Sequence, residues 1–130
     1  MARTVHELVA EAQGRITELA PAALAALDDG HVLIDVREPD EYAQGHLPGA
    51  VNLPRGVLEF RIHAHPALAC APHGAQAAPD RALVLYCLGG GRSALAAASL
   101  QSLGFGRVRS LAGGLEAWRN AGFPLTVDDP

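Results

Sequence analysis

The chain has 130 residues, 49% of them hydrophobic, and a formal net charge of −4. That length supports one domain with a real core, and the acidic balance argues against nucleic acid as the main partner. All ten basic residues are Arg, so any contact to an anion must come from Arg, His or a backbone N–H.

Thr4 to Glu7 reads as a capping box ahead of the apolar positions Leu8, Val9 and Ala12, which predicts a short helix ended by Gly14. Residues 16–19 read as a short strand. Pro21 opens a second helix over residues 22–27, stopped by Asp28-Asp29-Gly30. Residues 32–36, Val-Leu-Ile-Asp-Val, form the clearest strand, apolar on both faces as in a covered parallel sheet. A helix over residues 39–44, a turn at 45–49 and a strand at 50–53 follow. Residues 55–62 read as helix, and 63–80, rich in Ala, Pro and His, as a long loop. A strand at 83–86, a helix at 93–103, a strand at 108–111, a turn at Gly113-Gly114 and a helix at 115–120 complete the pattern. Strands alternating with helices predict an α/β fold with right-handed crossovers. The expected division is a helical extension over residues 1–14 and one domain over 15–127.

No apolar stretch reaches membrane-spanning length, and the N-terminus carries no apolar signal core, so the expected location is cytoplasmic with no membrane partner. Two cysteines, Cys70 and Cys87, do not make a disulfide scaffold. In a reducing compartment a free reactive thiol is the better reading.

The segment Cys87-Leu88-Gly89-Gly90-Gly91-Arg92-Ser93 follows a buried strand directly. A thiolate is the nucleophilic form of cysteine, and an unperturbed thiol titrates only near about 8.5. Three features here would favour the thiolate. Glycines 89 to 91 let successive N–H groups turn toward the sulfur. The helix beginning near Ser93 directs its positive end at the pocket. Arg92 adds a fixed charge or secures the loop. The strand's carboxyl end is also where open α/β sheets bind ligands. This points to cysteine chemistry on an anionic substrate.

Four residues separate Cys87 from Arg92. That cradle is one residue shorter than those of cysteine phosphatases and arsenate reductases, which hold a tetrahedral oxyanion. A tighter ring fits a single extra sulfur on Sγ. The intervening Leu and Gly residues offer no acid to protonate a leaving alcohol. A phosphatase is therefore the disfavoured third reading.

Three segments together resemble the rhodanese family of sulfurtransferases. They are residues 33–54 (Leu-Ile-Asp-Val-Arg-Glu-Pro-Asp-Glu-Tyr-Ala-Gln-Gly-His-Leu-Pro-Gly-Ala-Val-Asn-Leu-Pro), the loop 87–93, and residues 111–118 (Leu-Ala-Gly-Gly-Leu-Glu-Ala-Trp). The resemblance implies a five-stranded parallel sheet with helices on both faces. It implies a ping-pong reaction in which Cys87 takes a sulfane sulfur from a small anionic donor, thiosulfate or a persulfide, and passes it to cyanide, a thiol or a protein. Carried over by position, Cys87 is the persulfide-forming nucleophile. The N–H groups of Leu88, Gly89, Gly90, Gly91 and Arg92 form the sulfur cradle, Arg92 closes the loop, and Ser93 belongs to the same motif. No metal or organic cofactor is implied. Family members that use thiosulfate carry further basic side chains in this loop; here only Arg92 is basic. A sulfur-carrier or regulatory module that docks to a protein partner is the alternative.

Asp35, Arg37, Glu41 and His46 read as structural support. Asp35 would accept backbone N–H groups at a strand end, Arg37 would pair with a carboxylate such as Glu41, and His46 would fix the turn by a hydrogen bond. His63, His65, Cys70 and His73 have ligand types that suit zinc. The preferred reading leaves them without metal; an intermediate one has this loop border the pocket, where a histidine would offer positive charge. Cys70 reads as a bystander rather than a resolving thiol, and Tyr86 and Trp118 as packing residues.

Overall fold

Side chains that alternate along the central strand divide the interior into two apolar cores. The computed structural model describes residues 2–28, 30–66, 68 and 80–128. Its helices are α1 (Val5–Arg15), α2 (Pro21–Ala25), α3 (Pro39–Gln44), α4 (Leu58–Arg61), α5 (Gly91–Ser102) and α6 (Gly114–Asn120). Its strands are β1 (Thr17–Leu19), β2 (His31–Asp35), β3 (Val51–Asn52), β4 (Ala82–Tyr86) and β5 (Val108–Leu111). The strands form one sheet in the order β1-β5-β4-β2-β3, and every pairing is parallel.

Strand β4 lies in the middle and is buried along its whole length. Leu83 and Leu85 join Val32 and Ile34 in one core, covered by Leu58 of α4 and by Ala96, Ala97 and Leu100 of α5. Val84 and Tyr86 project to the other face, where Leu24, Tyr42, Leu115 and Trp118 from α2, α3 and α6 cover them. Each large aliphatic side chain buried this way contributes about 1.5–3 kcal/mol. The expected five-stranded parallel sheet with helices on both faces is the observed architecture.

The Thr4–Glu7 capping box is present, and α1 runs one residue past Gly14 to Arg15. Ala12 of α1 is buried, and the helix packs against α5. Helix α5 starts at Gly91, two residues earlier than the sequence suggests, because its N-cap Gly90 adopts a left-handed conformation (φ 106°) that turns the chain straight into the helix. The expected helix over 55–62 is broken. A 3-10 turn spans Arg55–Val57, then Val57 at φ −125° leaves helical geometry before α4 begins. No helix among the described residues is long and apolar enough to cross a membrane.

The carboxyl ends of β2 and β4 lie side by side, with Asp35 in register with Tyr86. Cys87 is the next residue after β4, so it sits at the carboxyl edge of the sheet between the two helical layers.

Candidate active site

Cys87 is almost fully buried, at 2% exposure, and its Sγ is met by polar hydrogens rather than by hydrocarbon alone. The N–H of Gly90 donates to Sγ at 3.1 Å and that of Ser93 at 3.4 Å. The Ser93 hydroxyl lies 3.6 Å from the same sulfur. Both amides come from the turn that opens α5, so the sulfur faces the helix's amino end. This arrangement favours negative charge on Sγ.

Of the five amides from Leu88 to Arg92, Gly90 makes the hydrogen bond to Sγ among the described contacts, and Ser93 supplies the second donor. Leu88 instead stands at the rim, 38% exposed. Of the three glycines, Gly90 is the one whose φ excludes an ordinary side chain; Gly89 and Gly91 have room for a Cβ.

The carbonyl side of the loop is held from α6. Leu115 N–H donates to Cys87 O at 2.8 Å and Glu116 N–H to Leu88 O at 3.1 Å. A Cβ at Gly114 would lie 2.5 Å from both of those oxygens. The Gly113-Gly114 pair, which reads as a turn in sequence, is therefore the point where α6 abuts the active loop.

Arg92 does not point at the sulfur. Its Nη1 and Nη2 grip the two Glu41 carboxylate oxygens at 2.8 and 3.2 Å. The hydrogen bond from Arg92 is the main cause that holds the Glu41 pKa at about 2, against an ordinary 4.5. This corrects the expected Arg37–Glu41 pairing. Arg37 bonds Asp35 instead, with Nε at 3.1 Å from each carboxylate oxygen and Nη2 at 2.7 Å from Oδ2. Its Nη2 also donates to Gly45 O at 2.7 Å. Burial disfavours the Arg37 charge, but the hydrogen bond and charge of Asp35 outweigh it and raise its pKa.

Asp35 also accepts the Arg37 backbone N–H at 2.9 Å, the strand-end role expected of it. Tyr86 packs beneath the Arg37 guanidinium (5.9 Å to the ring centroid) and accepts the Leu47 N–H at 3.0 Å. Its burial, reinforced by Asp35, drives its pKa upward, so it stays a neutral phenol. His46 fixes its turn as expected: its ring stacks on Tyr42, with Nδ1 2.9 Å from Tyr42 O and Nε2 2.8 Å from Asp128 O. Trp118 packs on Phe123 and donates to Pro124 O.

An open cleft of about 300 Å³ adjoins the loop, lined by Leu88, Leu115, Leu125, Gln44, Glu41, Arg37, Gly45 and Arg119. Sequence reasoning missed Gln44 and Arg119 here, because nothing in the local pattern of α3 or α6 distinguishes them from solvated helix residues. It also missed Ser110, fully buried on β5, whose Oγ lies 2.8 Å from Ser93 Oγ. His63 stacks on Phe105 at 5.7 Å, and neither it nor His65 lines this cleft. Cys70 and His73 lie outside the described residues, and with them the zinc and resolving-thiol readings.

Known proteins resemble this chain in sequence and in fold. The chain is 37% identical over 98 residues to a sulfurtransferase of Allochromatium vinosum, covering 75% of this chain and 80% of that protein. It is 35% identical over 99 residues to the thiosulfate sulfurtransferase GlpE of Pseudomonas entomophila, covering 75% and 79%. A solved structure from Rhodopseudomonas palustris, of unknown function and described as a possible tyrosine phosphatase, superposes with a TM-score of 0.80 at 36% identity, covering 97% and 96%. The model of the rhodanese-like domain matches residues 19–121, and the chain therefore belongs to the rhodanese-like domain family.

Proposed function

We propose that this protein is a sulfurtransferase that works through a persulfide on Cys87. The observation that carries the reading is the placement of Sγ, 3.1 Å from the Gly90 N–H and 3.4 Å from the Ser93 N–H at the head of α5. Family membership and the sulfurtransferase relatives support sulfur transfer as the general activity.

In the first half-reaction the Cys87 thiolate attacks the outer sulfur of a donor. The new Sγ–S bond forms as the donor's own bond to that sulfur breaks, and the donor fragment leaves with the electron pair. From thiosulfate that fragment is sulfite. In the second half-reaction a thiophilic acceptor, cyanide or a thiolate, attacks the outer sulfur and Cys87 leaves as thiolate. No proton need move at the sulfur in either step, which suits a site whose nearest groups are amides and a hydroxyl rather than a base. Tyr86, a neutral phenol held by Leu47, and Asp35, committed to Arg37, take no part.

The donor is a small anion. Arg37 and Arg92 are occupied by carboxylates, whereas Arg119, exposed at the cleft, has no carboxylate partner among the described residues. The GlpE relative supports thiosulfate; the apolar lining by Leu88, Leu115 and Leu125 supports an organic persulfide as well. A kinetic panel of thiosulfate, mercaptopyruvate and glutathione persulfide, with cyanide and thiol acceptors, tests the reading. Turnover with at least one donor that vanishes in Cys87→Ser supports it. Cys87-dependent hydrolysis of an aryl phosphate, with no sulfur transfer, would replace it with the phosphatase reading. Loading from a persulfide donor with negligible turnover would favour a carrier module.

A further inference from the structure

Directly behind the sulfur lie two fully buried hydroxyls in series. Ser93 Oγ is 3.6 Å from Cys87 Sγ, and Ser110 Oγ is 2.8 Å from Ser93 Oγ. Ser110 belongs to β5, where Leu85 of β4 is its registered neighbour, and it faces α5 on the side of the sheet that carries Cys87. We propose that Ser110 is a positioning residue for Cys87, acting through Ser93 to aim a hydroxyl hydrogen at the sulfur whenever that sulfur carries negative charge.

The hydrogen count supports this role. A serine hydroxyl has one hydrogen to donate and two lone pairs to accept with. Either hydroxyl could donate in the Ser93–Ser110 pair; because Ser93 Oγ donates to Gly90 O, the relay takes Ser110 as the donor to Ser93 Oγ. The Ser93 hydrogen then has two candidate acceptors, Gly90 O at 3.2 Å and Cys87 Sγ at 3.6 Å. Gly90 O also accepts the Ala94 N–H at 3.1 Å. When the Ser93 hydrogen swings to the sulfur, that carbonyl keeps a donor and no buried polar group is orphaned. Removing the Ser110 hydroxyl would leave Ser93 without the donor that polarises it and fixes its oxygen.

The proposal rests on the reading of Cys87 as a reactive thiolate, the nucleophile of the first half-reaction and the leaving group of the second. It is tested without any sulfur donor, by following iodoacetamide alkylation of the Cys87 peptide by mass spectrometry across pH. Ser110→Ala should move the midpoint of the alkylation profile upward, slowing the reaction about three- to tenfold below the midpoint, the range expected for one lost hydrogen bond between uncharged groups. Ser110→Thr, which keeps the hydroxyl, should stay within twofold of the parent. In a Ser93→Ala background, Ser110→Ala should add nothing. A midpoint unmoved by Ser110→Ala, or one moved by the same amount when Ser93 is already Ala, would overturn the relay. Melting curves of each variant separate a packing defect, which lowers stability without moving the profile. If the relay behaves as stated and Cys87 still accepts no sulfur from any donor, the sulfur-transfer reading fails and the relay stands.

Discussion

Arg92 and Glu41, 51 positions apart in sequence, meet as a two-point ion pair with N–O distances of 2.8 and 3.2 Å. The pair ties the active loop to α3 across the mouth of the site. Both side chains are about one-third exposed, so its worth lies in geometry more than stability. Arg92→Lys keeps the charge and loses the fork. The expected result is a fall in kcat/KM of about tenfold, from misplacement of the loop, with stability changed by less than about 1 kcal/mol. Steady-state kinetics beside urea unfolding checks this; an unchanged kcat/KM would show the fork to be dispensable.

The same pair carries a pH signature. The Glu41 pKa is depressed to about 2 from 4.5, so the contribution of the pair is complete above the ordinary carboxylate range. It is lost as pH falls through about 2. NMR titration of the Glu41 carboxyl should find the depressed midpoint, and Arg92→Ala should return it toward 4.5. A wild-type midpoint already near 4.5 would mean that the pair does not form in solution.

Asp35 and Arg37 make a different kind of pair, buried at the end of β2. Asp35→Ala strands the guanidinium charge in the interior and should cost about 3–5 kcal/mol. Replacing both, as Asp35→Ala with Arg37→Leu, should cost less than Asp35→Ala alone. Denaturant unfolding of the three proteins decides this, and a double variant less stable than the single one would refute it.

Gly114 is fixed by what it touches. Its φ of 62° and the approach of Cys87 O and Leu88 O to 2.5 Å from any Cβ leave no room for Ala. Gly114→Ala must push α6 off the loop, with a loss of about 1–3 kcal/mol and of most activity. Gly89→Ala, where nothing lies within 4 Å of the added carbon, should be near neutral for stability. Thermal melts of the two variants give the comparison; equal losses would remove the special standing of Gly114.

What the sequence made legible was local. The run from β4 through Cys87 into α5 is contiguous, and its apolar strand, turn glycines and helix each leave a mark within a few residues. The role of Asp35 as a strand-end acceptor was legible for the same reason, since its backbone donor lies two residues on. The partner of Arg37 is not legible in sequence, because Asp35 and Glu41 both lie close to it along the chain. Only the fold shows that Glu41 faces a residue on α5. Ser110 left no mark, because an inward serine on a short strand looks like any small core residue until α5 is laid over it. The Gly113-Gly114 pair read as a turn, and its contact with Cys87 O is a tertiary fact.

Intact-mass spectrometry of the full chain after incubation with thiosulfate or glutathione persulfide and removal of the donor tests the central claim most directly. The expected result is a gain of one sulfur atom, absent in Cys87→Ser and discharged by cyanide. A parent mass that no donor changes, or a gain that persists in Cys87→Ser, would contradict it.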